Sequence, residues 1–226
     1  MTNKFDDKLI QVSFDVPILD FYKGYFNYCF IIFHPFYHNV FNNNYNHFCH
    51  YNHKLSYLIK KITWEEILNR TGINDYKRLV LIITYPANDK KFQKLVESEW
   101  NEFQKFLKEN NIIEPYWEED KIPGEIILPF LNFLLTEGYN EVKVGDWNNN
   151  IETVKLIESY LFEYLIQFEF KNFITTTDYK YCLKLPYHDL PYTFFLAQTL
   201  DEKIIAQLNY EGFFANEKTK PYWFLE

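Results

Sequence analysis

The sequence predicts an α+β (mixed α/β) fold: a mostly antiparallel or mixed sheet flanked by helices, with a C-terminal β-hairpin followed by a short helix. Three observations predict it. Short β-type apolar runs recur along the chain, such as Tyr28 to Phe33 and Leu79 to Thr84. Early in the chain they interleave with segments whose apolar residues fall three and four apart. Late in the chain two β-type runs face each other across Pro186 to Pro191, which reads as a hairpin loop.

Residues 1–27 carry no periodic pattern. Tyr28 to Phe33 reads as a buried strand ended by Pro35, and residues 36–53, rich in Asn, Tyr, His and Phe, read as a loop. Thr63 with Glu66 three residues on is a capping box, and Gly72 marks the stop of the helix it starts. Leu79 to Thr84 is expected to be a second strand. From about Asp89 to Asn110, Phe92, Leu95, Val96, Trp100, Phe103 and Leu107 form one apolar helical stripe. Ile126 to Thr136 is expected to be helical, with Pro129 in its first turn and Gly138 beyond its end. Glu141 to Val144 alternates as a strand, Asp146 to Asn150 is a turn, and Ile151 to Phe170 is expected to be helix. Phe173 to Thr177, Tyr179 to Leu185 and Tyr192 to Ala197 are strand-like, and Leu200 to Leu208 is a short helix.

The chain has 226 residues, which fits a single domain over 1–226; the one alternative is a division near residue 112. Its rings, 23 Phe, 19 Tyr and 5 Trp, must build much of the core, because Met occurs once. A net charge of −8 leaves no basic surface for phosphate neutralisation, so nucleic acid is not an expected partner. No signal peptide and no apolar run long enough to span a bilayer is visible, so no membrane association is expected. Cys29, Cys49 and Cys182 form no CxxC pair and suit reduced thiols, which points to a soluble, cytoplasmic protein.

Five of the six histidines lie close together: His34, His38, His47, His50 and His53, with Cys49 among them. Neutral imidazole is a common metal ligand, and His47, His50 and His53 would share one helical face. Zn or another transition metal is the ion such a set would take. The competing account is compositional. Asn, Tyr, His and Asp codons differ only at the first base, so an AT-rich loop acquires this texture by drift. Neither HExxH nor a paired CxxC supports a metal, and no other cofactor is expected. Three weaker candidates are His188-Asp189 in the hairpin loop, the Thr175-Thr176-Thr177-Asp178 run, and the acidic Glu118-Glu119-Asp120. GxGxxG, GxxxxGK[ST] and GxSxG are absent, and only 6 Gly are present, which disfavours phosphate loops and hydrolase elbows. Cys29, in an expected buried strand, is a poor nucleophile.

Three stretches occur together: Ile31-Ile32-Phe33-His34-Pro35-Phe36, Ile62-Thr63-Trp64-Glu65-Glu66-Ile67-Leu68, and Tyr210-Glu211-Gly212-Phe213-Phe214-Ala215-Asn216 followed by Pro221-Tyr222-Trp223. In that order and at this length the chain resembles an uncharacterised family of Bacillus-type bacteria, the domain of unknown function 2711. The resemblance implies no activity, cofactor or site residue. Beside it, the composition favours a non-enzymatic, cytosolic interaction or immunity-type module that binds a protein partner through an aromatic-rich face. The alternative is a metal-dependent or small-molecule enzyme using the histidine cluster 34–53. No catalytic residue is assigned, and the sequence specifies no oligomeric state.

Overall fold

The computed structural model describes residues 9, 13–38, 60–87, 90–115, 122–148, 150–157, 168, 171–186, 190–200 and 202–225. In chain order the first elements are α1 (Ile18–Phe21), β1 (Tyr28–Phe33), β2 (Phe36–His38), β3 (Lys61–Ile62), α2 (Trp64–Thr71), α3 (Tyr76–Ile83), α4 (Lys90–Glu109) and β4 (Ile112–Ile113). There follow α5 (Gly124–Thr136), β5 (Glu141–Gly145), β6 (Ile151–Lys155), β7 (Phe173–Thr176), β8 (Tyr181–Lys184), β9 (Tyr192–Ala197), α6 (Glu202–Leu208) and β10 (Gly212–Phe214). The fold is α+β. Its Cα positions divide into one unit of Met1–Phe33 with Glu118–Pro221 and another of His34–Trp117 with Tyr222–Glu226.

The first unit is built on a seven-stranded sheet of order β10-β1-β9-β8-β7-β5-β6, and every neighbouring pair is antiparallel. The expected hairpin is present: β8 pairs β9 with Cys182 opposite Leu196 and Lys184 opposite Phe194. One face of the sheet carries Phe195 and Tyr181, and α5 packs there, with Phe130 5.9 Å from Phe195 and Phe133 5.1 Å from Tyr181 between ring centroids. Both pairs meet edge to face, the favoured geometry for aromatic packing. Across the opposite face the ladder aligns Cys29, Leu196, Cys182, Thr175 and Lys143 in one row.

Four expectations are corrected by the structure. Ile151 to Lys155 is the edge strand β6, not helix. The Asp146 carboxylate accepts the Asn148 and Asn150 amides at 2.8 and 3.1 Å, and the turn it closes folds β6 back onto β5. Burial works to raise the Asp146 carboxyl, but the bonds from Asn150 and Asn148 outweigh it and hold the group below its usual range. The helix expected from Ile126 begins at Gly124, so Pro129 lies in its interior instead of its first turn. Proline there offers no N–H to the Glu125 carbonyl. Next to that gap the Tyr210 hydroxyl donates to the Ile126 carbonyl at 2.5 Å.

The third correction is in the second unit. Leu79 to Ile83 belongs to helix α3, not to a strand. An apolar run of this length fits a buried helix as well as a strand. The local signal that decides it is Asp75, whose side chain accepts the Arg78 amide at 2.8 Å and caps the helix. All five residues are buried, so this run has no polar position to betray its period.

The expected capping box at α2 is present: the Thr63 hydroxyl accepts the Glu66 amide at 3.0 Å, and Gly72 closes the helix in the left-handed region at φ 72°. Trp64 is fully buried and donates from its indole to the His34 carbonyl at 2.7 Å. Its ring centroid lies 5.3 Å from that of Phe36, which in turn meets Phe103 of α4 at 6.2 Å. Strands β3-β2-β4 form a small antiparallel sheet in this unit, so the first residues of the expected 36–53 loop, Phe36 to His38, are strand: they find ladder partners in Lys61–Ile62 and Ile112–Ile113, distant in the chain. Among the described residues no helix is long and apolar enough to cross a membrane.

Candidate functional site

His34 is buried in the second unit, where its carbonyl serves Trp64. His38 is half-buried at the end of β2, opposite Ile112. His47, His50, His53 and Cys49 lie outside the described residues, as do His188, Asp189 and Glu118 to Asp120. Among the described residues no group of three His, Cys, Asp or Glu side chains is placed to hold a metal ion. Thr175 is buried and spends its hydroxyl on the Tyr181 carbonyl at 3.0 Å, so it is a sheet residue with no free nucleophile. Asp178 accepts the Tyr139 hydroxyl and the Lys180 amide, both at 3.0 Å. Burial works to raise its carboxyl, and the bonds from Thr176, Lys180 and Tyr139 bring it below its ordinary value.

The aromatic side chains serve the core. Trp64, Tyr22, Tyr181 and Tyr192 are buried, and of the described large rings only Tyr28 and Phe214 are exposed. Cys29 and Cys182 are free and buried. Burial pushes the Cys182 thiol up to about 12 and raises Cys29 further, so neither forms a thiolate near neutrality.

The second unit contains a surface groove of about 480 Å³. One wall is the end of α2, the Gly72 turn and the start of α3, from Arg70 to Arg78. The other wall is α4, which contributes Glu99, Glu102, Phe103 and Phe106. Those four recur at i, i+3, i+4 and i+7, so one helical face presents carboxylates and rings together.

The charges of the groove fall into two sets. Arg78 grips Glu99 with two guanidinium nitrogens, Nε at 2.9 Å and Nη2 on the second oxygen, and Nη2 also reaches the Leu95 carbonyl at 3.0 Å. The Glu99 bond raises the affinity of Arg78 for its proton. Arg70 donates to Glu66 at 3.2 Å and to Asn110 at 2.8 Å, with its guanidinium 5.3 Å above the Phe106 ring. Both cations are therefore neutralised. Asp75 engages the Arg78 amide through one oxygen only. Glu102 is exposed and has no hydrogen bond or ion pair with any described residue.

In the first unit the anomaly is Lys184. It is 0% exposed, and among the described residues no carboxylate pairs with it. Its amine donates to the Asn172 side-chain oxygen and to the Leu185 carbonyl at 2.6 Å, and lies 4.9 Å from the Trp147 ring centroid. Burial pushes its pKa down to about 7, partly opposed by Cys182. Two carbonyl-type oxygens and a ring face match the three protons of an ammonium, so no donor is left for a ligand. Lys184 is a structural group.

The groove residues were not singled out in the sequence. Half of the signal was present: Glu99, Glu102, Phe103 and Phe106 share a helical face. The other half was lost with α3, since a strand over Leu79 to Thr84 leaves no helix N-terminus at Asp75 and no place for Arg78.

No curated protein and no solved structure matches the chain. The sequence model of the family described as Protein of unknown function (DUF2711) matches residues 14–225. The three sequence stretches that suggested this resemblance lie within the matched span, and the chain belongs to that family.

Proposed function

We propose that the protein is a non-enzymatic protein-interaction module of the cytoplasm, and that the groove between the α2–α3 turn and α4 is its working surface. The observation that carries this is the groove itself: about 480 Å³, lined by the rings of Phe103 and Phe106 and by charged side chains from three helices. Volumes of this size hold a few side chains of a partner. The two free, buried thiols are compatible with a reducing compartment. A partner surface made of exposed rings has little material, because the rings fill the core; polar recognition in the groove takes its place.

The test is a titration of the full chain with three end-blocked tripeptides, glycine at both ends and arginine, glutamate or leucine between, followed by backbone amide NMR. The expected result is saturable shifts at residues 70–78 and 99–106 with one of them. If none of the three moves those signals, the groove is not a binding surface.

A further inference from the structure

We infer that the groove takes a cationic side chain, an arginine or lysine on an exposed segment of a partner protein, seated against Glu102 and the open oxygen of Asp75. This rests on the binding reading above and adds the chemistry of the occupant.

The electrostatics select the sign. Two arginines face three carboxylates across the groove: Arg70 and Arg78 against Asp75, Glu99 and Glu102. Arg78 is locked to Glu99, and Arg70 is held by Glu66 and Asn110 from outside the groove. An anion would have to displace Glu99 from a two-point guanidinium pair, which is among the stronger hydrogen-bonded contacts available to proteins. A cation displaces nothing. It meets an unpaired carboxylate at Glu102, and at Asp75 one whose second oxygen is unused.

The helix ends at the groove offset each other: the C-terminal end of α2 at Thr71 and Gly72 carries partial negative charge, and the N-terminal end of α3 at Asp75 partial positive charge. The chain as a whole carries −8, which raises the encounter rate with basic surfaces.

The same three blocked tripeptides test the inference, now compared among the full wild-type chain, Glu102→Gln and Glu97→Gln. Glu97 is exposed on α4 outside the groove and serves as control. The arginine peptide is expected to bind the wild type. Its affinity should fall roughly ten-fold in Glu102→Gln, as the loss of one charge-assisted contact implies, and stay unchanged in Glu97→Gln. It should also weaken when salt rises from about 0.05 to 0.5 M. If the glutamate or leucine peptide shifts the groove signals and the arginine peptide does not, the occupant is not cationic although the groove binds. If the arginine peptide binds equally to Glu102→Gln, it sits elsewhere and the inference fails. If no peptide shifts these signals, the binding reading falls as well.

Discussion

Gly212 lies against Ile31. The short edge strand β10 pairs Gly212 with Ile32 of β1, and a Cβ added at Gly212 would run into the backbone carbonyl oxygen of Ile31. Backbone cannot swing aside as a flexible side chain can. Gly212→Ala is therefore expected to push β10 off the sheet, at about 1–3 kcal/mol in urea or guanidinium unfolding. Gly138→Ala is the comparison. Gly138 has open space around it, so its cost is that of φ 89° alone. A Gly212→Ala midpoint equal to wild type would show that the close approach is not maintained in solution.

Thr63 and Glu66 form the best-specified local contact in the second unit, the hydroxyl accepting the amide at 3.0 Å. Helix α2 is eight residues long, too short to persist without its caps and its packing. Thr63→Ala should cost about 1 kcal/mol, and Thr63→Ser much less, because the serine hydroxyl keeps the bond. Thermal unfolding of the two variants separates this from a general loss of packing at the site. Equal melting temperatures for alanine and serine would rule out the cap as the source.

These two positions also show why parts of the molecule were legible in the sequence and parts were not. Thr63, Glu66 and Gly72 act locally, through spacings fixed by the helix, so they can be recognised in one dimension. The strand Tyr192–Ala197 is legible as well, since a short ring-rich run after a proline has few alternatives. Leu79 to Ile83 fails because burial on all sides erases periodicity. Ile151 to Lys155 fails for the opposite reason. It is an edge strand with Glu152, Thr153 and Lys155 exposed, and its apolar residues are too sparse to declare a period of two. The groove is assembled from residues on three helices, one of them misread, and its central pair, Arg78 and Glu99, is 21 residues apart. No local pattern joins Arg78 to Glu99.

The histidine cluster makes a separate prediction. On the proposed reading no bound ion is needed, and the two described members join no group of three metal-ligand side chains among the described residues: His34 is buried with its carbonyl on Trp64, and His38 sits on β2. Protein purified without a histidine tag is expected to contain Zn, Fe, Ni, Mn and Cu below stoichiometry by elemental analysis. One equivalent of any of these, lost when His47, His50 and His53 are replaced together by Asn, would restore the metal-dependent reading.

Lys184 makes stability depend on pH, and the sign follows from its burial. Its amine has a pKa of about 7 in the folded state against 10.5 ordinarily. Between those values the unfolded chain binds a proton that the folded chain does not, so stability rises as pH increases from 7. Below 7 both states hold the proton and the contribution is flat. The slope for one proton is at most about 1.4 kcal/mol per pH unit. Cys182 acts in the opposite sense higher up. Its thiol, pushed from 9.0 to about 12 by burial, keeps its proton in the folded state when the unfolded thiol has lost it, so stability declines with pH above 9. Cys29, also raised by burial, adds to that decline. The window between pH 7 and 9 therefore isolates Lys184. Denaturant titrations of wild type and Lys184→Met across that window should show a rising stability in the wild type and a flatter profile in the variant. The absolute stability of the variant does not decide the matter, because methionine also leaves the Asn172 and Leu185 oxygens without a donor. The difference in slope does. Parallel profiles would mean that the Lys184 ammonium stays charged through the window, held by the Asn172 oxygen, the Leu185 carbonyl and the Trp147 ring.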